Sequence, residues 1–245
     1  MSELDKQSGM DKVRQEYVVP GSNLEGILNG NELSLKQQWF TDWKTGERRI
    51  APCVIARGSG LMDEIYQAGK ADDMKMVLEI GSGNAPTAVE TAAFIPRSLV
   101  MAVEKEPVKK LVGGGDELRL DVARRCRENR SLAVLFSQVD ALQTSGDMKF
   151  DLVQMPFPTP VWGDVQNLVV AGWRHVAPGG ELRVFYTPEH EVPAAELVLA
   201  LQEKGAKPSL ESLDSVAIED RFGITSSEFL KGGAKLPVIL AKKLN

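Results

Sequence analysis

The chain has 245 residues, 43% hydrophobic and 26% charged, enough for a substantial core in one elaborated α/β domain or in a domain with an appendage. A net charge of −5 argues against a broad nucleic-acid surface, which carries a basic surplus, so any such patch has to be local. Cys53 and Cys126, with His175 and His190, show no metal-ligand spacing and are too few for a disulfide framework. No apolar run approaches the roughly 20 residues of a membrane span, and MSELDKQSGMDKVRQEY lacks the apolar core of a signal peptide. The expected protein has no membrane contact and is cytoplasmic.

Residues 1–15 are polar and are expected to be loose. The next stretch, 17–50, holds Trp39, Phe40 and Trp43 beside a turn at Gly46. It reads as part of an N-terminal extension, residues 1–60, anchored by aromatic side chains to a main domain at 61–245; a lid over the site is the competing reading. Between Gly58 and Gly69, Leu61, Met62, Ile65 and Ala68 have helical spacing.

The main domain is organised around VLEIGSGNAPTAVETA, Val77 to Ala92. A short apolar strand runs into a turn at Gly81, Ser82 and Gly83, and Asn84 is the expected cap of a helix over about 85–94. Free N–H groups at that helix start suit a carboxylate, phosphate or ribose oxygen. The third glycine of the dinucleotide fingerprint is missing, with Pro86 about where it would stand. Glu79, at the strand end, would repel a diphosphate and suits a cationic ligand.

A second strand, Ser98 to Val103, ends at Glu104, which lies 21 residues after Gly83, near the spacing of a ribose-binding acid. Lys105 follows it. Gly113, Gly114 and Gly115 read as a flexible loop, since no Lys-Ser/Thr follows; the helix after it, from Asp116 to about Asn129, turns Arg119, Arg124, Arg125, Arg127 and Arg130 to solvent. The third strand, Leu132 to Phe136, leads to Asp140 and Ala141, and the fourth covers Phe150 to Met155. PFPTPVW, Pro156 to Trp162, then forms a stiff connection at the carboxyl end of a central strand, where ligands sit in open α/β sheets.

A helix over Val165–Val176, a turn at Ala177–Gly180 and a fifth strand from Glu181 to Tyr186 come next. His175 reads as structural, a partial positive charge at a helix end. Pro193 to Lys204 is the last long helix, and Ser215 to Ile218 and Leu236 to Ala241 are the expected closing strands. Strands alternating with helices over 60–205 predict a doubly wound, mostly parallel, Rossmann-like sheet.

The acidic residue followed by x-G-x-G-x, with Glu79, Gly81 and Gly83, resembles motif I of the class I S-adenosylmethionine (SAM) methyltransferases. Glu104, Asp140 and the APGGEL passage resemble later signals of that family in the same order. The resemblance implies SAM as cofactor, held by Glu79, Gly81, Ser82, Gly83, Asn84, Glu104, Lys105, Asp140, Ala141 and Met155. PFPTPVW is similar to the F-P-D-P-W signature of the tRNA (guanine-N7)-methyltransferases, and Thr225 to Glu228 to their T-x-x-E passage. This implies substrate contacts from Pro156, Phe157, Pro158, Thr159 and Thr225, with Glu228 and Asp164 as the candidate catalytic groups.

Thr159 stands at that family's aspartate, and Gly163-Asp164-Val165 replaces its basic run. The expected acceptor is therefore a small molecule or a nucleobase nitrogen, with tRNA as an alternative that the acidic balance disfavours. Two functions of a different class compete with methyl transfer: a non-catalytic SAM-fold binding protein and an NAD(P)-linked oxidoreductase.

Overall fold

The structure, a computed structural model, describes residues 23–28, 39–41, 48–50, 73–82, 86–105, 128–137, 140–144, 146–156, 164–185, 192–214 and 235–244. Four apolar runs become strands where the sequence places them: β4 (Lys75–Ile80), β5 (Ser98–Val103), β6 (Leu132–Ser137) and β7 (Phe150–Pro156). They are parallel and lie in the order β6-β5-β4-β7. The sheet continues through β8 (Val176–Phe185), parallel to β7, then β10 (Lys235–Lys242) and β9 (Lys207–Asp214). All six residues of β5 are buried, as an interior parallel strand covered on both faces requires.

From β4 the chain winds out through β5 to β6, returns to β7, and winds the other way to β8. The direction reverses between β4 and β7, the switch point at which doubly wound sheets bind ligands. Beyond β8 the order departs from the 3-2-1-4-5-6 arrangement of the dinucleotide-binding fold. β10 runs antiparallel and is wedged between β8 and β9. At the other edge, β1 (Asn23–Leu28) pairs antiparallel with β6, bulged between Leu24 and Gly26, and completes eight strands. Residues 23–28 of the extension are thus built into the main sheet. β2 (Trp39–Thr41) and β3 (Arg48–Ile50) form a separate two-stranded ribbon.

Side chains alternate across each strand, so the sheet has two contrasting faces. Leu78, Met101, Val134, Val153, Leu182 and Ile239 belong to one apolar cluster, shared with α2 (Val165–His175) and α3 (Ala194–Glu203). α2 buries Val165, Leu168, Val169, Gly172 and Trp173, the helical period expected of a single apolar stripe. Leu78, Met101 and Phe150 are among the largest fully buried side chains, each contributing about 1.5–3 kcal/mol by area. Among its described side chains α1 (Pro86–Phe94) buries Thr87, Ala88, Thr91 and Ala92, all small, which lets that face lie close to the sheet. Among the described residues no helix is long and apolar enough to cross a membrane.

One expectation is corrected. Ala177–Gly180 is not a turn before a strand but part of β8, which pairs Phe150 with Val176 and then Leu152 with Glu181. The extra residues bulge outward at Gly179 (φ 74°), and Gly179 N–H and Gly180 C=O pair with Lys243, so the backbone stays satisfied. A strand that the sequence reading missed lies at Lys207–Asp214, and the expected strand at Ser215–Ile218 lies outside the described residues. KPSLESLD lacks an apolar period because it is paired to β10 alone among the described strands; Pro208 is tolerated there, as on an edge. The expected helix near 61–68, nearly all of the one at 116–129, and the boundary at 60/61 also lie outside the described residues.

The glycines of the bulge and of the α3 exit are predicted to behave differently. A Cβ at Gly180 would meet backbone oxygens of Phe150, Ala177 and Asp151 at 2.9–3.0 Å, so Gly180→Ala should cost about 1–3 kcal/mol in urea unfolding. At Gly205 nothing lies within 4 Å and only its φ of +78° resists substitution, so Gly205→Ala should cost about 1–2 kcal/mol.

Candidate functional site

The carboxyl ends of β4, β5 and β6 carry the predicted cofactor residues, and backbone bonds bring them together. Gly81 adopts φ 77°, a conformation that disfavours a side chain, and turns the chain back over β5. Gly81 N–H and Ser82 N–H both donate to Val103 C=O, at 2.9 and 3.2 Å. Glu104 N–H donates to Phe136 C=O at 2.9 Å, which fixes the exit of β5 against β6. Glu104 itself is buried.

Asp140 follows β6 and caps a single 3-10 turn, Ala141–Gln143, by accepting from Leu142 N–H at 3.0 Å. Its other oxygen lies 3.5 Å from Lys105 Nζ. Two of the predicted positions, one after β5 and one after β6, are therefore an ion pair across adjacent strand ends. Ala141 is buried beside them.

Glu79 is more constrained than its position in the sequence suggests. It is 0% exposed, stands opposite Gln154 in the β4–β7 register, and accepts from Gln154 Nε2 at 2.5 Å. Gln154 Nε2 also donates to Thr91 Oγ1 on α1 at 3.1 Å, so one amide ties both central strands to the covering helix. Glu79 Oε1 and Ser82 Oγ are buried with no hydrogen-bond partner among the described residues. Burial pushes the Glu79 pKa up to about 8, with a smaller push from Glu104; the Gln154 and Ala88 hydrogen bonds oppose it. The sequence suggests an ionised group waiting for a cation, whereas here the acid is protonated at neutral pH. A cation arriving beside it would draw the proton off.

The same sheet face carries a second buried polar pair that sequence reasoning missed. Arg183 on β8 is opposite Gln154, is buried, and donates through Nε to Glu181 Oε1. Glu79, Gln154 and Arg183 form a polar row across β4, β7 and β8, one or two residues short of the strand ends. A glutamine and an arginine inside otherwise apolar runs were the available signal.

Other predicted residues take structural tasks. Met155 is fully buried and faces α2: a Cβ built on Gly172 would lie 2.1 Å from Met155 Cε. Its side chain therefore packs in the core. Pro156 ends β7, opposite Phe185. Asp164 caps α2, accepting from Asn167 N–H at 3.0 Å and from Asn167 Nδ2 at 2.5 Å, so both carboxylate oxygens are engaged. Gly83, Asn84, Phe157, Pro158, Thr159, Thr225 and Glu228 lie outside the described residues.

His175 is structural, but it is uncharged. Burial, outweighing the opposing Met148 contact and helped by Lys149 and Arg174, lowers its pKa to about 4. Nδ1 lies 3.2 Å from Met148 C=O and Nε2 2.7 Å from Thr144 Oγ1, whose own hydrogen goes to Ala141 C=O at 2.8 Å.

These two buried groups give opposite pH dependences. The folded protein holds a proton on Glu79 up to about pH 8, the unfolded chain only to about 4.5, so stability falls as pH rises through that window. His175 accepts a proton near 6.5 when unfolded and near 4 when folded, so stability rises with pH through that window. They oppose each other below 6.5, and Glu79 alone acts above it. From pH 6.5 to 8 this corresponds to about 2 kcal/mol, or roughly 4–8 °C of melting temperature. Differential scanning calorimetry should show that decline, and Glu79→Gln should flatten it.

No protein-family model and no curated protein matches the sequence. Solved structures similar to the chain include the antibiotic-resistance methyltransferase Kmr, 15% identical, with 73% of this chain and 91% of that one aligned at a TM-score of 0.46. A 16S rRNA (adenine-N1)-methyltransferase from Catenulisporales acidiphilia is 15% identical over 74% of this chain and 92% of that one, with a TM-score of 0.44. Magnesium protoporphyrin IX methyltransferase from Synechocystis, solved with SAM bound, is 13% identical over 77% of this chain and 81% of that one, at 0.45. Likeness at this distance transfers no activity.

Proposed function

We propose that this chain is a SAM-dependent methyltransferase. The observation that carries the reading is the arrangement at the sheet's switch point: a positive-φ glycine turn hooked onto the end of β5, with Glu79, Glu104 and Asp140 at or just beyond three neighbouring strand ends. Three acids and no third glycine suit a cationic sulfur nucleoside better than a dinucleotide diphosphate. The buried, unpartnered Glu79 Oε1 and Ser82 Oγ fit such a ligand, since each offers a polar atom that nothing among the described residues satisfies. Glu104 would accept the ribose hydroxyls, and Asp140 with Ala141 would meet the adenine ring.

When bound, SAM supplies a methyl group already activated by its sulfonium charge. The protein's part is then to position the acceptor in line and to keep water out. Preorganisation of the turn by its two bonds to Val103 C=O supports this, because the site needs little rearrangement on binding. The proposed acceptor is a small molecule or a nucleobase nitrogen. A ring nitrogen such as guanine N7 is unprotonated at neutral pH and needs no base, whereas an alcohol or ammonium does. Since Asp164 is occupied as a helix cap, Glu228 is the better proposed candidate for contact with the acceptor.

Isothermal titration calorimetry with SAM and S-adenosylhomocysteine tests the reading directly. Glu104→Ala should weaken binding by about 10- to 100-fold, the loss expected for hydrogen bonds to a charged group. Heat from NAD(P)H and none from either sulfur nucleoside would overturn it. With binding established, transfer of labelled methyl groups to bulk tRNA or to a small-molecule extract separates the acceptor classes.

A further inference from the structure

At the opposite end of the sheet, where β7 and β8 begin, lies a groove of about 1110 Å³. Among the described residues its lining includes Lys149, Arg174, Lys204, Lys207, Lys242 and Lys243, and one carboxylate, Asp147. In a chain of net charge −5 this is a sharp local reversal of sign. The six cations come from five separate places: the β7 entry, the α2 end, the α3 exit, the start of β9 and the end of β10.

Much of this charge is held in place by dipoles rather than by carboxylates. Lys149 Nζ donates to Gly146 C=O at 2.5 Å and to Arg174 C=O at 2.7 Å. Lys243 Nζ donates to Val176 C=O at 3.1 Å and lies 5.3 Å from the Trp173 ring centroid. Arg174 and Lys204 sit at helix carboxyl ends, where the macrodipole favours a cation. Carbonyls and ring faces fix a lysine's position without cancelling its formal charge. Lys243 is held below its ordinary pKa, first by burial and then by the charge of Lys149.

The lining also indicates the kind of anion. Five of the six cations are lysines, point charges that suit phosphate, whereas carboxylate recognition favours the paired donors of arginine. Small-molecule sites carry only a few polar groups, whereas six cations spread along this groove suit an extended polyanion. Trp173 is 6% exposed beneath Lys243, so the groove lacks an accessible ring there on which a base could stack.

We propose that this groove binds the phosphate backbone of a single-stranded nucleic acid without reading its bases. The proposal does not rest on methyl transfer: the six cations lie at the end of the sheet opposite the switch point, although Leu142, next to Ala141 of the proposed SAM site, also lines the groove.

Fluorescence anisotropy with a labelled single-stranded RNA 20-mer, titrated from 50 to 200 mM salt, is the test. Engagement of all six cations predicts a slope of log K against log[salt] near −4, which is a fall of roughly 250-fold across that range. Lys204→Ala/Lys207→Ala, two exposed side chains, should reduce the slope to about −3 and leave the melting temperature and the SAM titration unchanged. Oligomers of different sequence should bind alike. The proposal is overturned by absence of binding at 50 mM salt, by a double variant that binds like the parent, by poly-L-glutamate competing as well as RNA, or by displacement with inorganic phosphate at equal phosphate concentration. RNA binding without SAM binding would leave this proposal standing and remove the methyltransferase reading.

Discussion

The contact between Glu79 and Gln154 joins the two strands on either side of the switch point. β4 and β7 are neighbours in the sheet but are separated in the chain by the whole β5–β6 excursion, so their register has to be set by contacts rather than by a short turn. Three paired positions, Val77–Leu152, Leu78–Val153 and Glu79–Gln154, do this. The first two are apolar and tolerate slippage in principle; the third is a buried polar match with one geometry. Its extension to Thr91 carries the same constraint to α1 and so to the helix start that follows the glycine turn. A shift by one residue would turn Glu79 into the apolar cluster beneath the sheet.

The two faces of the sheet divide the work. Beneath it, aliphatic and aromatic side chains pack against α2 and α3 in a cluster with little polar content. Above it, Glu79, Gln154, Glu181 and Arg183 are buried on β4, β7 and β8. Buried charges are costly unless paired, and each here has at least one partner. The lower face supplies most of the stabilisation, which frees the upper one to hold groups whose proton affinity departs from its ordinary value.

The central sheet was legible because parallel strands covered on both faces read as continuous apolar runs. MVLEI, SLVMAV, LAVLF and FDLVQM needed no partner to be recognised, and the carboxyl-end acids Glu104 and Asp140 followed from where those runs stop. The polar strand β9 and the strand through APGG were not legible. Edge pairing satisfies KPSLESLD without an apolar face, and a proline beside two glycines spells a turn even where a bulge absorbs them. The contacts of Asp164 with Asn167 and of Met155 with Gly172 were not legible either, since only the fold shows what packs beside each side chain. The basic groove was least visible, since its cations are dispersed over nearly a hundred residues and only the fold gathers them. The conspicuous arginine run of the sequence contributes none of its lining among the described residues.

The placement of β10 has a bearing on how the molecule assembles. Residues 235–242 enter between β8 and β9, although β9 is made first. Until they arrive, β8 presents an open, largely apolar rim with its amides unmatched on one side, the kind of template on which a neighbouring chain can crystallise into a wrong partnership. Docking of that segment covers the β8 edge and so protects the sheet against self-association.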